Sequence, residues 1–150
     1  MLIKTLPAMT VLYNSHRTTM GELGNFAGTA VKELYKYIVD LDLLICGPQY
    51  WYYYGLDGRP ETRFTLEIAI PVQGEIPAGP PPNIKGLPRF KCLSALHEGS
   101  WEQLPGVYKQ MMQYIGDNGL AMNGIISEAY QHIDFITPEN NITEIQIGLL

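Results

Sequence analysis

The chain has 150 residues, 46% of them hydrophobic and 17% charged, too apolar for disorder and suited to one domain or two small, closely packed halves. Its net charge of −5 includes no Lys/Arg cluster, so direct nucleic-acid binding is not expected; a neutral or cationic ligand suits this field better. The longest apolar runs fall far short of a bilayer span, and Met1-Leu2-Ile3-Lys4-Thr5 lacks the charged-then-apolar order of an export signal, so a cytoplasmic protein with no membrane partner is expected.

Residues 3–15 alternate and are rich in β-formers, and Met9 to Tyr13 reads as a strand. Thr18 or Thr19 is placed to cap a helix whose apolar stripe is Leu23, Phe26, Ala27, Ala30, Val31, Leu34 and Ile38, ending near Val39 to Leu43. Gly47-Pro48 breaks the chain, Gln49 to Gly55 is an aromatic strand, Leu56 to Pro60 a turn, and Arg63 to Val72 the return strand. Six of the eleven prolines fall between Pro71 and Pro88, and Ala78-Gly79-Pro80-Pro81-Pro82 is expected to be extended and stiff. Arg89 to His97 is a strand, and Leu104 to Gly116 a helix with Val107, Tyr108, Met111, Met112 and Ile115 inward. Ile125 to Ile133 is a strand, Thr137 to Asn141 a turn, and Ile142 to Leu150 the last strand.

The second half replays the first. Leu6-Pro7, His16, Met20, Leu23, Val31 and Leu34 return as Leu87-Pro88, His97, Trp101, Leu104, Met112 and Ile115, each 81 positions on. The closing strands, Leu66 to Val72 and Thr143 to Leu149, repeat at 77, a drift that a loop between helix and strands absorbs at little cost. The fold expected is α+β: two strand-helix-strand-strand units over about 1–72 and 87–150, joined by a connector at 73–86. Related by a pseudo-twofold axis, they form an antiparallel sheet backed by helices and share one core, since ~70 residues alone bury too little apolar surface. The seam between halves is where a small-molecule cleft is expected.

Five groups of residues, three of them in the second half, carry a resemblance to a known family. His97-x-Gly99-x-Trp101-x-x-Leu104 precedes a helix, Gly124-x-x-x-Glu128-x-Tyr130 follows it, and Thr143-Glu144-Ile145-Gln146-Ile147 closes the chain. Together these resemble the second half of the GyrI-like effector-binding domains of AraC-type and MerR-type multidrug regulators and of free-standing gyrase-inhibitor-like proteins. Gly47-Pro48 with its aromatic strand and Glu67-Ile68-x-Ile70-Pro71-Val72 are similar to the family's first half. The resemblance implies a duplicated (SHS2-type) fold of bacterial origin with a ligand cleft between its halves. It places the family's functional acid at Glu128, facing drug cations amid aromatic rings. With strand-forming residues starting almost at Met1, a free-standing member without a DNA-binding region is expected.

Side chains alternate along Ile126 to Tyr130, so Glu128 and Tyr130 share a face, and the shift of 77 brings Trp51 and Tyr53 onto that face. A carboxylate among rings loses solvation unless a cation compensates, and such a cation gains ion pairing and cation–π attraction of roughly 2 kcal/mol or more per desolvated contact. The alternative is a glutamate on an edge strand, facing water. Trp101 either forms a cleft wall or packs between helix and sheet; Tyr108, Met111 and Tyr13 are core residues unless the cleft reaches them. Cys46 and Cys92 read as reduced thiols, with a disulfide or a ligand pair as alternatives, and His16 and His97 as inherited structural positions. No residue spacing points to a metal or other cofactor.

The leading expectation is binding of hydrophobic, aromatic or cationic small molecules, with Glu128 as charge partner and Trp51, Tyr53, Trp101 and Tyr130 as stacking surfaces. A second class is enzymatic: some relatives hydrolyse cyclopropane-bearing alkylating toxins, which would make Glu128 a general base and Tyr130 or Tyr108 a proton donor. A third is a protein–protein modulator, such as a gyrase inhibitor or a regulator subunit, acting with a protein partner or as a homodimer.

Overall fold

The computed structural model describes residues 1–75 and 83–150. Strands β1 (Leu2–Leu6) and β2 (Met9–Thr18) lead through a 3₁₀ segment, Met20–Asn25, to helix α1 (Ala27–Asp40). Then come β3 (Leu44–Ile45), β4 (Gln49–Tyr54), β5 (Phe64–Gln73), β6 (Asn83–Leu87) and β7 (Phe90–Glu98). A 3₁₀ turn, Trp101–Gln103, runs into α2 (Leu104–Asp117), followed by β8 (Met122–His132), a second short turn, Pro138–Asn140, and β9 (Ile142–Leu149). Thr19 precedes the first 3₁₀ segment without making a side-chain capping bond, so neither candidate cap acts as one on α1.

Every strand pairing is antiparallel, and eight strands run in the order β1-β7-β9-β8-β4-β5-β2-β6, with β3 paired to the end of β5. Reversing that order exchanges the two halves. The duplication is therefore a pseudo-twofold axis between β4 and β8, as the repeat implied. Pairing across this seam sets Trp51 opposite Glu128, and these are the residues that the 77-residue shift superposes. The same shift turns the Tyr53↔Ile126 pair into Tyr130↔Gln49. The axis thus passes between Trp51 and Glu128.

Two features go beyond the expected units. Residues 3–15 do not form one strand: Pro7 lacks a ladder donor and divides β1 from β2. Asn83–Leu87, expected to be connector, forms β6, and Pro88 divides it from β7 in the same way. Each half then lends its first strand to the other, for β1 pairs with β7 and β6 with β2. The stretch 78–82 lies outside the described residues.

The helices cover one sheet face. Ala30, Leu34 and Ile38 of α1 bury against Leu12, Phe64, Leu66, Ile68 and Ile70, and Leu104, Met111 and Ile115 of α2 against Leu93, Ile145 and Ile147. Each helix holds a three-and-four apolar stripe against the alternate positions of a buried strand. Ile126, beside the axis, packs into both clusters. Gly124, at φ +87, sits in a bulge of β8 where the Asn123 side chain accepts from the Ile125 amide at 2.9 Å. A side chain at 124 would strain that bulge, which sets the register that follows it.

The opposite face carries a polar layer with the same symmetry. Lys4 on β1 reaches over β7 to Glu144 on β9, and Lys85 on β6 reaches over β2 to Glu67 on β5 at 2.7 Å. Tyr13 lies on this face, its ring 4.1 Å from the Lys85 ammonium. Burial works to raise the Glu144 carboxyl, but hydrogen bonds from Lys4, Ser94 and Gln146, with the Lys4 charge, outweigh it and hold the group below the usual carboxylate range. Its stabilising share is therefore present above that range and lost as pH falls through the depressed value.

Lys4→Met is expected to destabilise the fold by about 2 kcal/mol at neutral pH, less than for a fully buried pair because Lys4 keeps a third of its side chain in water. Urea titrations should show this gap narrowing as pH falls below the usual carboxylate range and Glu144 protonates. A gap that does not change with pH would mean that the ion pair contributes nothing through charge.

Candidate functional site

A cavity of about 910 Å³ opens over the seam. Its floor is β4 and β8, through Trp51, Tyr53, Ile126, Glu128 and Tyr130, and its walls are the starts of the two helices. Ala27, Gly28 and Val31 of α1 form one wall, and Leu104, Pro105, Tyr108 and Met112 of α2 the other. The repeat explains its lopsided shape. Trp101 and Tyr108 of the second half stand where the first half has Met20 and Ala27, so large polar-tipped rings face small apolar groups across the axis.

Glu128 is only 8% exposed. Its Oε1 accepts from the Tyr108 hydroxyl at 2.6 Å, and its Oε2 from Tyr130 at 2.6 Å and Tyr53 at 3.4 Å. Burial pushes all three phenols well above their ordinary value, reinforced by the negative charge of Glu128. All three therefore remain protonated donors at neutral pH.

No Lys, Arg or His is among the described residues that line the cavity. The other buried carboxylate, Glu144, has Lys4; Glu128 has hydroxyls alone. A desolvated anion is thus dissolved in phenol dipoles rather than paired with a cation.

The rings around it are themselves fixed. Trp51 donates its Nε1 proton to Gln49 at 2.6 Å and meets Tyr130 edge-on at 5.6 Å. Trp101 donates to Thr143 at 3.2 Å and its ring also stands 5.6 Å from that of Tyr130. Holding rings by their polar tips leaves their apolar surface to the cavity.

Six of the eight candidate contacts converge here: Glu128, Tyr130, Trp101, Trp51, Tyr53 and Tyr108 all line the cavity. Two do not. Met111 is fully buried beneath α2, and its neighbour Met112 lines the cavity instead, one residue being enough to turn a side chain through a quarter of the helix. Tyr13 is on the far sheet face, because strand alternation directs Leu12 to the helix side and Tyr13 away from it.

The turn Leu56-Asp57-Gly58 and the loop residues Ile133 and Phe135 were missed as rim residues, since nothing in their sequence spacing says which way a loop folds. The two cysteines form no disulfide; Cys46 is exposed, and burial pushes the Cys92 thiol up to about 11. His16 bonds Asn14 at 3.0 Å and stacks near Phe26, whereas the Nε2 of His97 is buried without a partner, so the repeated histidines no longer share one environment. No trio of His, Cys, Asp or Glu among the described residues is grouped to hold a metal, and no helix among them is long and apolar enough to cross a membrane.

Solved structures share this fold at low identity. In a DNA complex of EcmrR, the similarity covers 99% of this chain and 56% of that one, at 19% identity and a TM-score of 0.77, so the chain spans little more than half of the EcmrR chain. SAV2435 bound to tetraphenylphosphonium matches over 99% of this chain and 93% of its own, at 17% identity and a TM-score of 0.66. A hydrolase from Listeria innocua matches over 99% and 91%, at 16% identity and a TM-score of 0.66. No curated protein matches the sequence. The sequence itself fits the GyrI-like small molecule binding domain over residues 2–150, and the chain belongs to that family.

Proposed function

We propose that the cleft binds hydrophobic, aromatic organic cations, for drug or toxin sensing or sequestration, with Glu128 as the charge partner. The observation that carries this reading is a buried carboxylate facing a large cavity with no basic residue among the described residues that line it. A guest cation supplies the missing charge, and Trp51, Trp101 and Tyr130 supply ring faces at roughly 2 kcal/mol or more for each desolvated contact. The tetraphenylphosphonium held by SAV2435 is a ligand of this chemical class.

A second reading rests on the short bonds that Tyr108 and Tyr130 make to Glu128, which bring proton donors and a carboxylate together as general acid–base chemistry requires. Water opening a strained cyclopropane would then lose a proton to Glu128 while Tyr130 or Tyr108 protonates the leaving carbon framework. Binding is favoured because hydroxyls already occupy three of the carboxylate's roughly four acceptor positions, which leaves at most one, on Oε1, for an attacking water.

Calorimetry with N-methylacridinium and its neutral parent acridine, at a pH where the parent is uncharged, separates charge from shape. Glu128→Gln is expected to weaken the cation about thirtyfold, corresponding to ~2 kcal/mol, and the neutral ring less than threefold. Equal losses for both would remove the charge role. Mass spectrometry after incubation with a cyclopropane-bearing alkylating compound should show it intact; wild-type ring opening that disappears in Glu128→Ala would establish the hydrolase instead.

A further inference from the structure

The ring wall of the cleft does not stop at the tryptophans. Trp51, Tyr130 and Trp101 follow one another edge to face, and Phe135 continues the series 6.2 Å from Trp101 with an interplanar angle of 82°. This run of four rings leads from the pseudo-twofold axis, beside Glu128, to the mouth of the cavity. Phe135 lines the cavity and yet is 81% exposed, with Ile136 beside it at 93%.

Burial does not hold this loop in place; polar bonds do. Asp134 Oδ1 accepts from the amides of Ile136 at 2.9 Å and Thr137 at 2.8 Å, and Asn141 Oδ1 accepts from the Asp134 amide at 2.7 Å. Asn141 is itself buried and anchors the loop to the start of β9. An apolar ring is thus presented to water by a pre-organised turn, in line with the rings that reach the carboxylate. Such a ring has most of its contact surface still to bury, and a guest long enough to reach the mouth would bury it without reordering the loop.

Resting on the cleft reading above, we propose that Phe135 is the outermost recognition residue of the site and makes the cleft selective for elongated polyaromatic cations. The charged end lies at Glu128, the middle of the guest runs along Trp51, Tyr130 and Trp101, and its far ring packs on Phe135. Short cations with one ring fill only the deep end and do not touch it.

Benzyl-, biphenylmethyl- and terphenylmethyl-trimethylammonium carry one charge and one, two or three rings in line, so they probe depth at constant charge. Wild type should bind the three with rising affinity. Phe135→Ala should weaken the terphenyl compound about tenfold, the upper range of a single aromatic contact, and change the benzyl compound less than twofold. Because Phe135 is exposed, the variant should unfold at the wild-type temperature, and a circular-dichroism melt checks this. Unchanged terphenyl affinity, or equal weakening of all three compounds, would overturn the role of Phe135 while leaving the cleft reading intact. Failure of wild type to bind any of the three would overturn both.

Discussion

A buried carboxylate solvated by three tyrosine hydroxyls organises the seam of this protein. Glu128 lies at the pseudo-twofold axis, where β4 of one half pairs with β8 of the other, so both halves contribute to how it is held. Removing such a group from water without a countercharge is costly unless strong donors replace the lost hydration. Tyr53, Tyr108 and Tyr130 do this from three different elements, β4, α2 and β8. The Tyr108 bond also ties the α2 wall of the cavity to its floor. Under the proposed reading, a guest cation would supply the countercharge that these hydroxyls do not.

Duplication explains how the arrangement arises from an ordinary fold. Two identical halves would place like residues on either side of the axis, giving a symmetric floor. Here the positions have diverged in pairs: Glu128 against Trp51, Tyr108 against Ala27, Trp101 against Met20. The second half supplies the charge and the ring-bearing helix wall, whereas the first supplies Trp51 and Tyr53 on the floor and smaller apolar groups on its wall. The polar face of the sheet kept its symmetry instead, with Lys4–Glu144 and Lys85–Glu67 still matched across the exchanged edge strands. Structural pairs stayed alike and cleft residues did not, as expected where packing constrains both copies and ligand recognition constrains one surface.

Much of this was legible in the residues. Strand alternation from Ile126 to Tyr130 put Glu128 and Tyr130 on one face, and the repeat at 77 added Trp51 and Tyr53; the coordinates place all four on the cavity floor. The repeat at 81 located both helices and the strands that precede them. Other features were hidden for physical reasons. Exchange of β1 and β6 depends on long-range pairing that local pattern does not encode, and β6 adjoins a proline-rich stretch that reads as connector. Tyr13 and Met111 fall on the core side of the two alternatives, because a single step along a strand or helix changes the face. Phe135 carried no signal at all, since the path of its loop is fixed by Asp134 and Asn141 side-chain bonds.

The central claim is that a guest's positive charge comes to rest against Glu128, and anomalous diffraction can locate that charge. Crystals soaked with tetraphenylarsonium should give one arsenic peak in the seam, within about 6 Å of the Glu128 carboxylate and of at least one tryptophan ring, the range over which a cation and a ring attract. An arsenic peak bound elsewhere on the protein, with the seam empty at a saturating soak, would contradict the account.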